Sequence, residues 1–353
     1  MNMYALIMAG GFGTRLWPES TSQVPKQYLK LFDNDSLLRK TLGRLDPLIA
    51  PNKRFLVTVK EQKELALQES RERLPAENII LEPCGKNTAP CILLALACLS
   101  GRKVCLEDVI FITPSDHVVM DTDNFQSTLA KASQMAVDQK KIVTIGITPK
   151  TPHTGYGYIE RGSSVAEGFI VNSFKEKPDL QTAEIYLKNG NYFWNAGMFV
   201  ATMETFLQQF KIHAAFLYEY FDLLRENMRN VAKMEDIYRK MPAISIDYAV
   251  MEKSNQVMVV PAEFSWNDLG SWDAFEEIVN SVDGNTLLKE KGHFLKDARG
   301  NIVHAPQKFV SVLGVNDLIV VVNEKVVMIL KKSQAQRVKE IIEYLKQTDQ
   351  TLL

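Results

Sequence analysis

Cysteine is scarce in this sequence: Cys84, Cys91, Cys98 and Cys105 are the only four, each seven positions from the next and none in a C-x-x-C pair. That spacing argues against a structural zinc site. Cys91 and Cys98 fall two turns apart on a predicted helix, hence on one face, and the four read as buried, reduced thiols. An excess of either charge is also missing: 41 Lys and Arg stand against 42 Asp and Glu, a formal net charge of −1. Such balance gives no electrostatic case for a nucleic acid or an anionic membrane as main partner. No apolar run reaches the roughly 18 residues needed to span a bilayer. The N-terminus opens directly on a strand-like run, without the basic and apolar regions of a signal peptide, so a soluble cytoplasmic protein is expected. Low-complexity tracts and long linkers are lacking. What remains is 353 residues, 46% of them hydrophobic, enough for one large core or a large domain with a small one.

The most informative stretch begins where the first apolar run ends. Tyr4 to Met8 is apolar throughout and reads as a buried strand. Gly10, Gly11 and Gly13 follow, then Thr14, Arg15, Trp17-Pro18 and, further on, Pro25-Lys26-Gln27. Glycines at a strand end let backbone amides approach a ligand, because no Cβ intervenes. Amide-lined loops of this kind bind phosphates or base edges. Arg15 and Lys26 add two cations that could reach a polyphosphate, the first by a bidentate fork, the second as a point charge. Two common glycine motifs are absent. G-x-G-x-x-G fails because Leu16 stands where the third glycine belongs, and G-x-x-x-x-G-K-[ST] does not occur. An ordinary glycine-rich strand-to-helix turn is the competing reading.

Through residue 147 strands alternate with helices. Strands are expected at 54–59, 79–81, 109–113 and 142–147, and helices at 36–45, 61–74, 88–99 and 124–137. That order predicts an α/β fold with a mainly parallel, Rossmann-like sheet flanked by helices. Ligands of such sheets bind at the carboxyl ends of strands. The glycine loop, Glu82-Pro83 and Ser115-Asp116-His117 all stand at strand ends in this reading and could converge. Later strands are expected at 156–160, 169–175, 192–201 and 256–260, with helical segments over 203–241 interrupted near His213 and Asn230, and a helix over 271–282. Asp283-Gly284-Asn285 reads as a boundary, giving a catalytic domain at 1–283 and a small C-terminal β domain with a terminal helix at 284–353. The short strands there are too irregular to identify as a solenoid from their pattern.

The run G-G-x-G-T-R-L-x-P followed by Pro25-Lys26 resembles the signature of the sugar-1-phosphate nucleotidyltransferases. Trp17-Pro18 and Pro25 to Leu29 are similar to its mannose-1-phosphate guanylyltransferase branch, as is Glu82-Pro83 followed by Asn87-Thr88-Ala89-Pro90. Further motifs extend the resemblance over nearly the whole chain. It implies the nucleotidyltransferase fold, with a partial left-handed β-helix at the C-terminus. It also implies transfer of GMP from GTP to α-D-mannose 1-phosphate, giving GDP-mannose and pyrophosphate. Some longer relatives carry a phosphomannose isomerase domain after this point; that activity is not expected here. By resemblance Asp116 and Asp268 hold the metal, Mg²⁺, which takes one or two carboxylates plus phosphate oxygens. A helix cap for Asp116 and a Trp-anchored turn for Asp268 are the structural alternatives. Arg15, Lys26, Asp116 and Asp268 form the catalytic set. The nucleotide site adds Gly10, Gly11, Gly13, Thr14, Glu82, Asn87, Thr88 and Ser115, although Asn87 or Thr88 would equally cap the following helix.

Gly157, Glu176, Lys177 and Asn195 form the sugar-phosphate set by the same resemblance. Alone, Lys175-Glu176-Lys177 would read as solvated surface and Asn195 as a plain strand residue. Attack on phosphorus by an already ionised sugar phosphate needs no Ser or Cys nucleophile and no strong general base, so catalysis reduces to positioning and charge neutralisation. Transfer to another hexose 1-phosphate or from another base is the nearest alternative. A nucleotide-sugar sensor without activity is a further one, against which all four catalytic residues speak. The reading admits a homodimer.

Overall fold

The structure, a computed structural model, describes residues 2–11, 13–102 and 104–353; Phe12 of the glycine loop lies outside them. The strands are β1 (Met3–Met8), β2 (Arg54–Val59), β3 (Ile79–Glu82), β4 (Val109–Pro114), β5 (Val118–Val119), β6 (Ile142–Ile147), β7 (Tyr158–Val165), β8 (Gly168–Lys175), β9 (Tyr192–Thr202), β10 (Val257–Pro261), β11 (Trp266–Asn267), β12 (Ser281–Val282), β13 (Asn285–Lys296), β14 (Ile302–Leu313), β15 (Leu318–Val322) and β16 (Val327–Lys331). The α-helices are α1 (Leu37–Gly43), α2 (Lys63–Ser70), α3 (Thr88–Ser100), α4 (Thr122–Gln139), α5 (Leu180–Asn189), α6 (Met203–His213), α7 (Ala215–Asn227), α8 (Val231–Lys240) and α9 (Val338–Thr348). Among the described residues no helix is long and apolar enough to cross a membrane. Spatial contacts divide the chain into two units that cut across chain order. The first holds Met1–Gly10, Leu42–Ser115 and Val119–Trp266, the second Gly11–Thr41, Asp116–Val118 and Asn267–Leu353.

The first unit is built on a nine-stranded sheet of order β3-β2-β1-β4-β9-β6-β10-β8-β7. β1 pairs in parallel with β2 and β4, and β6 with β10. β9 enters antiparallel between β4 and β6, and β8 runs antiparallel to β10 and β7. The expected mainly parallel sheet is therefore present, with β8 and β9 reversed. α3 buries every residue from Ala89 to Leu99, as its apolar sequence requires. α6, α7 and α8 break at Ala214 and at Asn230, whose side chain accepts the Lys233 amide. One element escapes the pattern: Asp247–Met251 is a single π-helical turn.

In the second unit a five-stranded sheet of order β12-β13-β14-β15-β16 opens on a short hairpin of its first two strands. Asp283 and Gly284 both have positive φ and join the antiparallel strands β12 and β13, the backbone that a tight Asp-Gly turn needs. The helix expected over 271–282 is not formed. Trp272–Glu277 is a 3₁₀ segment that buries Trp272 and Phe275, and the chain then extends into β12. A repeat of three brings positions 272 and 275 to one face, and apolar spacing of that kind does not distinguish 3₁₀ from α. β13, β14 and β15 stack in parallel: Thr286 pairs with Ile302, 16 residues on, and Ile302 with Ile319, 17 residues on. Buried Asn285 and Asn301 mark the same period, with Asn301 Nδ2 donating to Asn285 Oδ1 at 2.9 Å. This is a β-helix-like coil. Against it α9 buries Val338, Ile342 and Leu345, in one cluster with Leu16, Trp17, Trp272 and Ile302.

Candidate active site

From Gly11 on, the signature loop belongs to the second unit. Gly13 has φ +60, and a Cβ on it would stand 2.2 Å from Lys26 Cβ, so only glycine fits beside Lys26. Ser20 Oγ donates to the Gly13 carbonyl at 2.8 Å, and Gln27 Nε2 to the Gly11 carbonyl at 2.9 Å. Nothing stands within 4 Å of a Cβ built on Gly11. Thr14 and Arg15 lie exposed in a 3₁₀ turn over Thr14–Leu16. Arg15 makes no hydrogen bond or ion pair among the described residues.

Lys26 is the opposite case. Its side chain is buried, and Nζ lies 2.8 Å from Asp116 Oδ2 while also donating to the Asp268 carbonyl. Three residues spread over the whole sequence are thus gathered on one ammonium. Burial alone would push the Asp116 carboxyl up. The Lys26 ammonium, His117 and the Lys26 hydrogen bond outweigh it and hold the group below the usual carboxylate range. His117 Nε2 lies 3.8 Å from Asp116 Oδ1. Asp268 follows β11, and its Oδ1 accepts the Gly270 amide at 2.9 Å. The loop is fixed behind it by Trp272, whose Nε1 donates to the Trp17 carbonyl at 3.0 Å. The donor set fits a hard divalent cation: both side chains offer carboxylate oxygens, and Asp116 is held ionised. Among the described residues no cluster of three or more His, Cys, Asp or Glu could hold a metal by itself.

The remaining sequence candidates lie in the first unit. Glu82 ends β3, buried, and accepts a hydrogen bond from Tyr238 of α8. Burial pushes its carboxyl up, against hydrogen bonds from Tyr238 and Cys91. A Cβ on Gly10 would come 2.9 Å from Glu82 Oε2, so that glycine allows the close approach. Ser115 donates its amide to the Met8 carbonyl at 3.0 Å, which ties the end of β4 to β1. Asn87 caps α3 by accepting the Thr88 amide at 2.8 Å, and Thr88 Oγ1 accepts the Ile246 amide at 2.8 Å. The capping alternative therefore holds for Asn87, while Thr88 anchors the segment that leads into the π turn.

Gly157, Glu176, Lys177 and Asn195 form a second gathering. A Cβ on Gly157 would stand 2.6 Å from Glu176 Oε2 and 3.3 Å from Asn195 Cβ. Lys177, in left-handed backbone with φ 46, folds back to pair with Glu176. The Glu176 amide donates to Glu252 Oε1 at 2.9 Å. Asn195 Oδ1 accepts from Thr144 and from the Gly197 amide, and its Nδ2 donates to Asp247 Oδ1 at 3.1 Å. Sequence reasoning missed Asp247. Burial first, then the negative charge of Glu176, pushes its carboxyl up to about 7, against the pull of the Asp247 backbone and Lys177. The only signal was an acidic residue set in the run Ile246 to Met251, which buries Ile246, Ala249, Val250 and Met251.

Comparison with known proteins follows the same lines. A family model described as nucleotidyl transferase matches residues 4–284, and one described as MannoseP isomerase/GMP-like beta-helix domain matches 292–345. The chain belongs to the nucleotidyl transferase family. Within that family it is 38% identical to a mannose-1-phosphate guanylyltransferase of Salmonella montevideo, over 97% of this chain and 73% of that one. It is 35% identical to a mannose-1-phosphate guanylyltransferase of Salmonella muenchen, over 97% of this chain and 73% of the other. A crystal structure described as a mannose-1-phosphate geranyltransferase from Thermus thermophilus superposes with a TM-score of 0.91 at 34% identity, covering 98% of this chain and all of that one. The nucleotidyl transferase fold and the β-helix-like C-terminal unit that the family resemblance implied are thus both present.

Proposed function

We propose that this enzyme transfers GMP from GTP to α-D-mannose 1-phosphate, giving GDP-mannose and pyrophosphate. Membership of the nucleotidyl transferase family and relatives named mannose-1-phosphate guanylyltransferase over nearly the whole chain support it. The observation that carries the chemistry is the buried Lys26 ammonium held on Asp116 and on the Asp268 backbone, beside a glycine loop with exposed Arg15. An oxygen of the sugar phosphate forms a bond to the α-phosphorus, and the bond from that phosphorus to the β-phosphate oxygen breaks. Pyrophosphate leaves with the electron pair. Both partners are anions, so the residues that matter supply positive charge and fixed geometry. Arg15 takes polyphosphate oxygens through its fork, and Lys26 supplies a fixed charge. The amides of Gly10, Gly11, Gly13 and Thr14 line the phosphate path, with Ser115 at the end of β4. Asp116 and Asp268 would hold Mg²⁺, which when bound offsets the charge of the phosphates that meet.

In the first unit Glu82, Asn87 and Thr88 serve the guanine side. Gly157 leaves room for the sugar, Glu176 and Asn195 accept or donate to its hydroxyls, and Lys177 takes its phosphate. Residues 1–283 act as the catalytic domain and 284–353 as its β companion, a division supported by the spans of the two family models. The free cysteines agree with action in the cytoplasm, where thiols stay reduced, and a homodimer is our working assembly. Pyrophosphate release measured across four nucleoside triphosphates and several hexose 1-phosphates tests the proposal. It requires GTP with mannose 1-phosphate to give the highest kcat/KM, and preference for another pair would refute it.

A further inference from the structure

A buried polar contact behind the signature loop has no part in the chemistry above. His304, on β14, is 2% exposed. Among the described residues neither of its ring nitrogens has a hydrogen-bond partner, and the same holds for the buried Glu19 Oε1. His304 Nε2 lies 3.7 Å from Glu19 Oε2, beyond a hydrogen bond. On its other side the imidazole lies 5.6 Å from the Trp272 ring. The Glu19 side chain is 21% exposed, but its Oε1 and both His304 nitrogens are buried without a hydrogen bond among the described residues, which is costly.

Both neighbours of His304 are tied to site loops of the same unit. Glu19 and Ser20 donate their amides to the Leu16 carbonyl, and Ser20 Oγ holds the carbonyl of Gly13, the glycine packed on Lys26. Trp272 donates to the Trp17 carbonyl and stands four residues after Asp268. Asn323, after β15, donates to the Pro18 carbonyl at 3.2 Å and reinforces the same edge.

We propose that His304 is a positioning residue: through Glu19 and Trp272 the C-terminal β unit sets the geometry of the two loops that carry Arg15, Lys26 and Asp268. The activity part rests on the function proposed above; the structural part does not. The test uses the full chain with His304→Phe, which keeps ring packing on Trp272 and removes the nitrogens, and with Glu19→Gln, which keeps size and removes charge. Hydrogen exchange of the amides in 13–20 and 269–274 should quicken several-fold in each variant while β1 to β4 exchange as before. The kcat of GMP transfer should fall roughly ten-fold, the scale of a small misplacement of reacting groups, with the KM for mannose 1-phosphate unchanged. The double variant should be no worse than the worse single one. Unchanged exchange in both loops, or faster exchange spread over the whole chain, would overturn the inference. Should the wild-type chain fail to transfer GMP, the proposed function falls, and the exchange comparison still decides this one.

Discussion

Gly13→Ala puts the loop argument under the greatest strain. The new methyl would sit 2.2 Å from Lys26 Cβ and 3.2 Å from its Cδ, where ordinary contact begins at 3.4 Å. The two groups must part by about 1 Å before repulsion ends. Neither side yields freely. Lys26 opens a 3₁₀ turn closed by Tyr28 on Pro25 and Leu29 on Lys26, and its ammonium is fixed on Asp116 at 2.8 Å. Gly13 is fixed by Ser20. Left-handed backbone at an alanine costs about 1 kcal/mol, and overpacking of a fixed contact about 1–3 more, so a loss of roughly 2–4 kcal/mol is expected. Displacing Lys26 by about 1 Å should lower kcat/KM for GTP roughly 100-fold. Pyrophosphate release at subsaturating GTP and denaturant unfolding give the two readings. Gly11→Ala, where a Cβ meets nothing within 4 Å, should keep stability within about 0.5 kcal/mol. A Gly13→Ala protein with wild-type stability and wild-type kcat/KM would refute the packing account of the loop.

Arg15→Ala and Lys26→Ala should each lower kcat/KM roughly 10²-fold; only Lys26→Ala should also lower the melting temperature, because it leaves Asp116 without its ammonium. Equal melting temperatures would count against that distinction. Asp116→Asn and Asp268→Asn should each abolish most turnover, and on the proposal that both serve one centre the double variant should be little worse than the worse single one; strictly additive losses in a Mg²⁺ titration would separate their roles. Asp247 carries a carboxyl raised from 3.8 to about 7, so between those values the folded protein keeps a proton that the unfolded chain has released. Stability should therefore fall as pH rises across that window and level off above it. Asp247→Asn, which cannot ionise, should flatten the decline in unfolding experiments between pH 4 and 8, and a wild-type slope in the variant would show that Asp247 is not the source.

Much of the first unit was legible because its apolar runs leave little choice. α3 is apolar along nearly its whole length and is buried over Ala89 to Leu99. The break near Asn230 carries a capping side chain, whereas the one near His213 falls at Ala214, a good helix former, and both lie between helices. The segment after Trp272 was not legible, since apolar residues three apart suit either a 3₁₀ or an α turn. The 16- and 17-residue coil was hidden for another reason. Its period is written chiefly in two asparagines, Asn285 and Asn301, while β13 carries two register shifts against β14. The grouping of residues 11–41 with the C-terminal region left no local trace at all: Trp17 donates to the Leu352 carbonyl across 335 positions.

The site divides along the same physical line. Lys26 could be named in advance from a glycine loop whose residue types suit a polyphosphate, and Asp116 and Asp268 from the family resemblance of their motifs. Their meeting on one ammonium could not, since it depends on three distant segments closing together. Asp247 stands outside any motif, and hydrophobic periodicity hides it, because a π turn has neither the α nor the strand repeat. Its importance is visible only in three dimensions, where Asn195 donates to it and the charges of Glu176 and Lys177 bear on it. A carboxyl placed beside another carboxyl is held there against repulsion. Lys177 supplies the compensating charge through its pair with Glu176, and it stands in left-handed backbone at φ 46, a conformation that a lysine seldom adopts. The raised carboxyl at Asp247 therefore follows from burial first and from the charge of Glu176 second, with the Lys177 ammonium, itself paired with Glu176, pulling the other way.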